Sequence, residues 1–158
     1  SLCYYADGVW GNIVKEGKYR DGYFDKDLIE ESAKLIKHIW KPFPFPEWVV
    51  PIPSNRHPKL VPDFARALAD ALEIPFYEIL VRNTNPPEQK NMNNSLYQSK
   101  NVLNSLTLKG KILPQPVLLV DDIVDSSWTI TMAGYFLRKN GSGPVYPFTL
   151  ASASGRKN

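Results

Sequence analysis

The chain is short of the residues that build covalent and metal frameworks. It has one cysteine and two histidines among 158 residues. Cys3 alone permits no internal disulfide, which excludes the disulfide-stapled secreted scaffolds. His38 and His57 have no histidine, cysteine or acidic partner at ligand spacing, so both read as bystanders. No apolar run approaches the ~20 residues of a membrane-spanning helix, and the start Ser1-Leu2-Cys3-Tyr4-Tyr5 lacks the basic and apolar regions of a signal peptide. These absences predict a soluble, globular, cytoplasmic domain with no membrane partner. Neither sign of charge dominates: 19 Lys and Arg against 16 Asp and Glu leave a net charge of +3, which does not by itself argue for nucleic-acid binding. The G-x-x-x-x-G-K-[ST] phosphate loop is also missing, which argues against the phosphate-loop NTPases. Gly141-Ser142-Gly143 precedes a strand rather than opening a helix, so it reads as a helix end and not as a dinucleotide fingerprint.

What the chain does have is 43% hydrophobic residues, enough for one ordinary core, and an alternation of apolar segments. Residues 1–24 carry Gly8, Gly11, Gly17 and Gly22 among Tyr4, Tyr5, Trp10, Tyr19, Tyr23 and Phe24, a pattern that predicts short strands and turns rather than a helix. Asp27 with Glu30 predicts a capped helix running to about Trp40, and the proline run from Lys41 to Pro46 breaks it. Strands are predicted over residues 48–53, 74–81, 117–120 and 144–151. Helices are predicted after Pro58 and over residues 130–140, with a short helix within 96–106. Strands separated by helices predict an α/β fold with a parallel sheet and right-handed crossovers. The division expected is an N-terminal region at 1–46, a core at 47–151 and a tail at 152–158.

Residues 117–129, Val-Leu-Leu-Val-Asp-Asp-Ile-Val-Asp-Ser-Ser-Trp-Thr, carry the chemistry. Four apolar residues read as a buried parallel strand, and Asp121-Asp122 at its carboxyl end lead through a small-residue turn into a helix, where open α/β sheets bind ligands. Adjacent carboxylates can accept hydrogen bonds from a sugar 2,3-diol and place negative charge beside an anomeric carbon that becomes oxocarbenium-like. Asp121 and Asp122 are therefore the candidate ribose ligands. Asp125, at the rim, is the candidate general base toward an incoming ring nitrogen, or helps to orient a bound metal. Ser126, Ser127 and Thr129 supply hydroxyls, and the backbone N–H groups of a helix starting near Trp128 make an anion site, so residues 125–129 read as a 5'-phosphate cradle. The alternatives are a metal-holding strand of the NTPase or receiver type, or plain sheet chemistry.

These residues resemble the signature of the type I phosphoribosyltransferases: an apolar strand, two acids, two apolar residues, then an acid or Thr and a small-residue turn. The match covers Val117 to Val120, Asp121, Asp122, Ile123, Val124, Asp125, Ser126 and Thr129. It departs at Ser127, where the family usually has Gly. There Ser127 either takes an unfavourable φ or holds phosphate more loosely.

The resemblance implies a Rossmann-like parallel sheet flanked by helices, a small irregular N-terminal hood over the base, phosphoribosyl diphosphate as ligand and Mg²⁺ as cofactor, oriented indirectly by Asp121 and Asp122. It further implies that Ser54, Asn55 and Arg56 hold the diphosphate. Residues 82–101 would then be a mobile loop whose Gln89, Lys90, Asn93 and Tyr97 close on it.

With Trp10-Gly11, Gly17-Lys18-Tyr19, Val49 to Pro53, Arg56-His57-Pro58, Val61 to Arg66, Gln89-Lys90 and Ser126-x-Trp128-Thr129 in order, the chain resembles the phosphoribosyltransferase-like C-terminal domain of bacterial RecQ-type ATP-dependent DNA helicases. The chain is similar, more distantly, to the ComF competence proteins. That resemblance implies a fragment of a longer DNA-processing protein, consistent with a start that lacks Met, and DNA as a partner through the attached helicase. A transferase, a nucleotide-binding sensor that does not turn over, and a DNA- or protein-docking module all remain open.

Overall fold

Val117 to Val120 are completely buried, which a strand achieves only when both faces of its sheet are covered. In the computed structural model, which describes residues 1–82, 106–125 and 127–153, this segment opens the central strand. The elements in chain order are β1 (Cys3–Tyr4), α1 (Gly8–Glu16), α2 (Lys26–Lys34), β2 (Trp48–Pro51), α3 (Leu60–Leu72), β3 (Leu80–Arg82), β4 (Leu106–Leu108), β5 (Val117–Val124), α4 (Trp128–Lys139) and β6 (Val145–Ser152). The main sheet has order β1-β6-β5-β2, and all of its pairings are parallel. Its register sets Val50 opposite Leu119 and Phe148 opposite Val120. β3 and β4 form a separate antiparallel pair.

Alternation along the strands divides the core into two layers. Val49, Leu118, Val120, Phe148 and Leu150 face one side, where Val14 of α1, Leu28 of α2 and Phe64, Ala65 and Leu68 of α3 cover them. Trp48, Val50, Val117 and Leu119 face the other, under Ile130, Ala133 and Leu137 of α4 and Leu80 and Leu106 of the β3-β4 pair. Proline at the end of β2 is tolerated because the ladder continues past it: Ile52 N–H donates to the Val120 carbonyl at 2.8 Å.

Three expectations need correction. Residues 1–24 are largely helical: α1 is followed by a π-helical turn at Gly17–Asp21. The glycines had suggested turns, but only Gly8 and Gly22, both at positive φ, bracket the helical segment. Gly11 and Gly17 lie inside it because a Cβ at Gly11 would run into the Tyr4 carbonyl, and one at Gly17 would meet the Tyr23 carbonyl at 2.7 Å. The helix at 26–40 is capped by Asp25, whose carboxylate accepts from Asp27 N–H at 2.8 Å, not by an Asp27–Glu30 pair; Glu30 pairs with Lys26. It finishes in a π-helical turn at Leu35–Trp40. The strand expected at 74–81 is reduced to one bridge, Val49 with Phe76, and to β3. Pro75 has no N–H to continue a ladder. The short helix expected within 96–106 lies outside the described residues, apart from Leu106 in β4.

Candidate functional site

The carboxyl ends of β2 and β5 lie side by side, because Pro51 is in register with Val120. The loop after β2 and the turn after β5 therefore open onto one cleft. Its larger part, about 320 Å³, is lined by Ser54, Asn55, Arg56, Arg82, Asp121, Asp122 and Thr129 together with Ile52 and Pro53. A second part of about 140 Å³ is lined by Asp121, Asp125, Ser127 and Thr129 with apolar neighbours. The two share Asp121 and Thr129, so a donor-rich compartment and a helix-end compartment meet at the carboxylates. Of the residues singled out in the sequence, Ser54, Asn55, Arg56, Asp121, Asp122, Asp125, Ser127 and Thr129 line this cleft; Trp128 does not, and Ser126 lies outside the described residues with Gln89, Lys90, Asn93 and Tyr97.

The local fold explains the convergence. Ser54 Oγ accepts from His57 N–H at 3.3 Å, which turns the loop after β2 back toward the sheet. Arg82, at the end of β3, donates from Nε to the Pro53 carbonyl at 2.8 Å and brings a second guanidinium beside Arg56. On the other side Ser127 begins α4 in the left-handed region, φ 48° and ψ −12°, the strained alternative of the two that the sequence left open. Its side chain makes no capping hydrogen bond, and its carbonyl accepts from Thr131 N–H at 2.9 Å. Among the described residues no side chain caps the first-turn N–H groups of α4, which face a ligand with the positive end of the helix dipole behind them. The Trp128 ring itself is exposed.

The two central carboxylates are not equivalent. Asp122 is buried: one oxygen accepts from Ile123 N–H at 2.7 Å and the other from Lys18 Nζ at 2.8 Å. Asp121 is half-buried and accepts from Asp122 N–H at 2.9 Å. Burial, and then the neighbouring Asp122 charge, push its pKa up to about 7, against the Asp122 N–H bond and the Lys18 and Arg82 charges. Asp121 is therefore poised between neutral donor and charged acceptor near neutral pH. Asp125 is exposed at the rim. Among the described residues no group of three or more His, Cys, Asp or Glu converges as a metal cage.

Arg82 and Lys18 were not foreseen as site residues. The sequence places Arg82 at the start of a loop, whereas it ends β3; its position after an apolar segment is the available signal. Lys18 stands in Gly17-Lys18-Tyr19, noted in the sequence without a role.

No family model matches the chain. Of solved structures, an adenine phosphoribosyltransferase superposes with a TM-score of 0.54 at 15% identity, over 82% of this chain and 72% of that one. The fold is that of the type I phosphoribosyltransferases. The same phosphoribosyltransferase fold relates the chain to a structure described as the allosteric regulatory enzyme of purine biosynthesis, with a TM-score of 0.52 at 17% identity over 78% of this chain and 25% of that one. In sequence, ribose-phosphate pyrophosphokinases of Corynebacterium ammoniagenes and Bacillus subtilis are each 34% identical over 82 residues, 52% of this chain. The chain spans about a fifth of the length of these curated relatives, 22%. Among the described residues no helix is long and apolar enough to cross a membrane.

Proposed function

We propose that the chain binds phosphoribosyl diphosphate, or a nucleotide, as a phosphoribosyltransferase-type domain of a RecQ-type DNA helicase. One observation carries the binding reading: an Arg-rich compartment and an uncapped helix N-terminus meet at two adjacent carboxylates. A ligand with a diphosphate at one end, a diol in the middle and a 5'-phosphate at the other matches that sequence of donors and acceptors. Ser54, Asn55, Arg56 and Arg82 take the diphosphate, with the guanidinium groups giving paired charge-assisted hydrogen bonds. Asp121 and Asp122 take the ribose hydroxyls. The N–H groups at the start of α4, with Ser126, Ser127 and Thr129, take the 5'-phosphate.

In the catalytic form of this reading, the lone pair of an acceptor ring nitrogen forms a bond to ribose C1 as the C1–O bond to diphosphate breaks. Asp125 accepts the proton that the acceptor nitrogen sheds, and the carboxylates stabilise positive charge developing at C1. Adjacent carboxylates are the hard oxygen donors that Mg²⁺ takes, and Asp121 and Asp122 would hold it indirectly, together with the ligand. Once bound, the ion would neutralise charge on the departing diphosphate. The acceptor base would lie under the N-terminal hood region at 1–46, and Gln89, Lys90, Asn93 and Tyr97 would close over the diphosphate. The helicase assignment rests on the ordered residues from Trp10-Gly11 to Trp128-Thr129, and it implies contact with DNA through the attached helicase in the cytoplasm.

The left-handed Ser127 favours a second form, in which the pocket senses its ligand without turnover and biases the attached helicase by differential affinity for two states. Diphosphate release from phosphoribosyl diphosphate, measured over a panel of nucleobases with Mg²⁺, separates the two. Catalysis requires release that collapses in Asp125→Asn while binding persists. Binding with no release over the whole panel supports sensing, and no binding of phosphoribosyl diphosphate or nucleotides removes both.

A further inference from the structure

The ribose end of the cleft is tied to the N-terminal segment by one contact that the reaction just described leaves unused. Lys18 Nζ lies 2.8 Å from Asp122 Oδ2, and both side chains are largely buried, with 18% and 8% of their areas exposed. The lysine is held in place from behind. It follows Gly17, whose Cα packs so closely on the Tyr23 carbonyl and the Phe24 ring that a Cβ there would come within 2.7 and 2.9 Å of them. Phe24 in turn meets Phe64 of α3 edge-on at 5.6 Å, within the core. On its other side Tyr19 meets the His57 ring edge-on at 6.1 Å, which connects the same turn to the loop carrying Ser54, Asn55 and Arg56.

A carboxylate has about four acceptor positions. Ile123 N–H and Lys18 Nζ each use one on different oxygens of Asp122, which fixes the plane of the carboxylate and leaves further lone pairs for a ligand. Without the ammonium, two adjacent carboxylates would repel each other in a cleft that shields them poorly, and Asp122 could turn away from Asp121. We propose, as a step resting on the ribose-phosphate reading, that Lys18 is the positioning residue that orients Asp122 for the sugar and so sets a preference for a ribo-diol over a 2-deoxy sugar. Lys18 lines neither compartment of the cleft, so it acts through Asp122 and not on phosphate.

The test is calorimetric titration of ribose 5-phosphate, 2-deoxyribose 5-phosphate and inorganic phosphate into the wild-type chain, Lys18→Met and Asp122→Asn. One hydroxyl bonded to an ionised acceptor is worth about tenfold in affinity, so the wild type should prefer ribose 5-phosphate by that factor. Lys18→Met and Asp122→Asn should both reduce the preference to near unity, and Lys18→Met should leave affinity for inorganic phosphate unchanged. A role confined to stability, or a loss of positive charge alone, would weaken all three ligands together and keep their ratio, and that result overturns the proposal. So does a Lys18→Met variant that keeps the tenfold preference. If Lys18→Met does not fold, Lys18→Gln, which retains a donor without the charge, is judged by the same ratio. Wild-type chain that binds inorganic phosphate and both sugars equally refutes the ribose preference alone. Wild-type chain that binds none of them removes the ribose-phosphate reading with it.

Discussion

Ser127→Gly should make the protein more stable and its anion site tighter at once, a combination that few single substitutions in a binding turn produce. Ser127 stands at φ 48°, where a side chain costs about 1–2 kcal/mol and glycine costs nothing. Glycine also loosens the unfolded chain, which returns about 0.5–1 kcal/mol of that gain. Ordinarily an N-cap serine would add a capping hydrogen bond to the loss, but the Ser127 side chain makes none. The net expectation is a stabilisation of about 0.5–1 kcal/mol. For a chain of this size that corresponds to a rise in Tm of about 1–4 °C. Ser127→Ala is the control: it keeps the strain and has no cap to lose, so its Tm should match the wild type or fall slightly. Differential scanning calorimetry of the three proteins decides the stability half, and titration with inorganic phosphate decides the binding half, where Gly should tighten binding several-fold. If Ser127→Gly melts at or below Ser127→Ala, the strain attributed to this turn is absent and the reasoning fails.

Three further outcomes follow from the same geometry. Asp121 holds its proton up to about 7 in the folded chain and to 3.8 as a free carboxyl, so between those values the folded state carries the extra proton. Its contribution to stability is therefore fully present below 3.8 and is lost as pH rises toward 7, with a slope of up to about 1.4 kcal/mol per pH unit; urea unfolding across that range should show the slope in wild type minus Asp121→Asn, and parallel curves would refute it. Arg56→Ala and Arg82→Ala should each weaken diphosphate binding by about 10–100-fold, the worth of a hydrogen bond to a charged group, with inorganic phosphate at the α4 end little affected; equal losses for both ligands in titration would mean that the guanidinium groups act only as distant charge. Gly11→Ala should destabilise the fold by about 1–3 kcal/mol, because the atom its Cβ would meet is the Tyr4 backbone carbonyl, which cannot swing aside; urea midpoints within a few tenths of a molar would contradict the close packing of α1 on β1.

The central strand and its acidic end were legible in the sequence because burial on both faces writes a contiguous apolar run, and the chemistry follows at the strand's carboxyl end. Residues 54–56 were legible for a related reason: they close the neighbouring parallel strand. The helical character of residues 8–21 was not, because glycine at Gly11 and Gly17 answers a steric demand of the folded structure, and composition cannot distinguish close approach from a turn. Pro75 in the apolar stretch at 74–81 was a signal for a shortened strand, since it has no N–H to give a ladder, although Pro51 and Pro147 sit within β2 and β6. Lys18 and Arg82 escaped notice for a different reason. Each reaches the site across the tertiary fold, Lys18 to Asp122 and Arg82 to the Pro53 carbonyl; only the apolar segment that Arg82 ends gave a signal, and none marked Lys18. Ser127 was the reverse case: the sequence posed the alternative of strain or looser contact, and the backbone took strain.

The most direct test of the central claim is calorimetric titration of phosphoribosyl diphosphate, with and without Mg²⁺, into the wild-type chain and the Asp121→Asn, Asp122→Asn double variant. The account predicts micromolar binding that strengthens with Mg²⁺ and disappears in the double variant while its fold, read by circular dichroism, is retained. Binding of equal strength in the double variant, or no binding by the folded wild type, would contradict it.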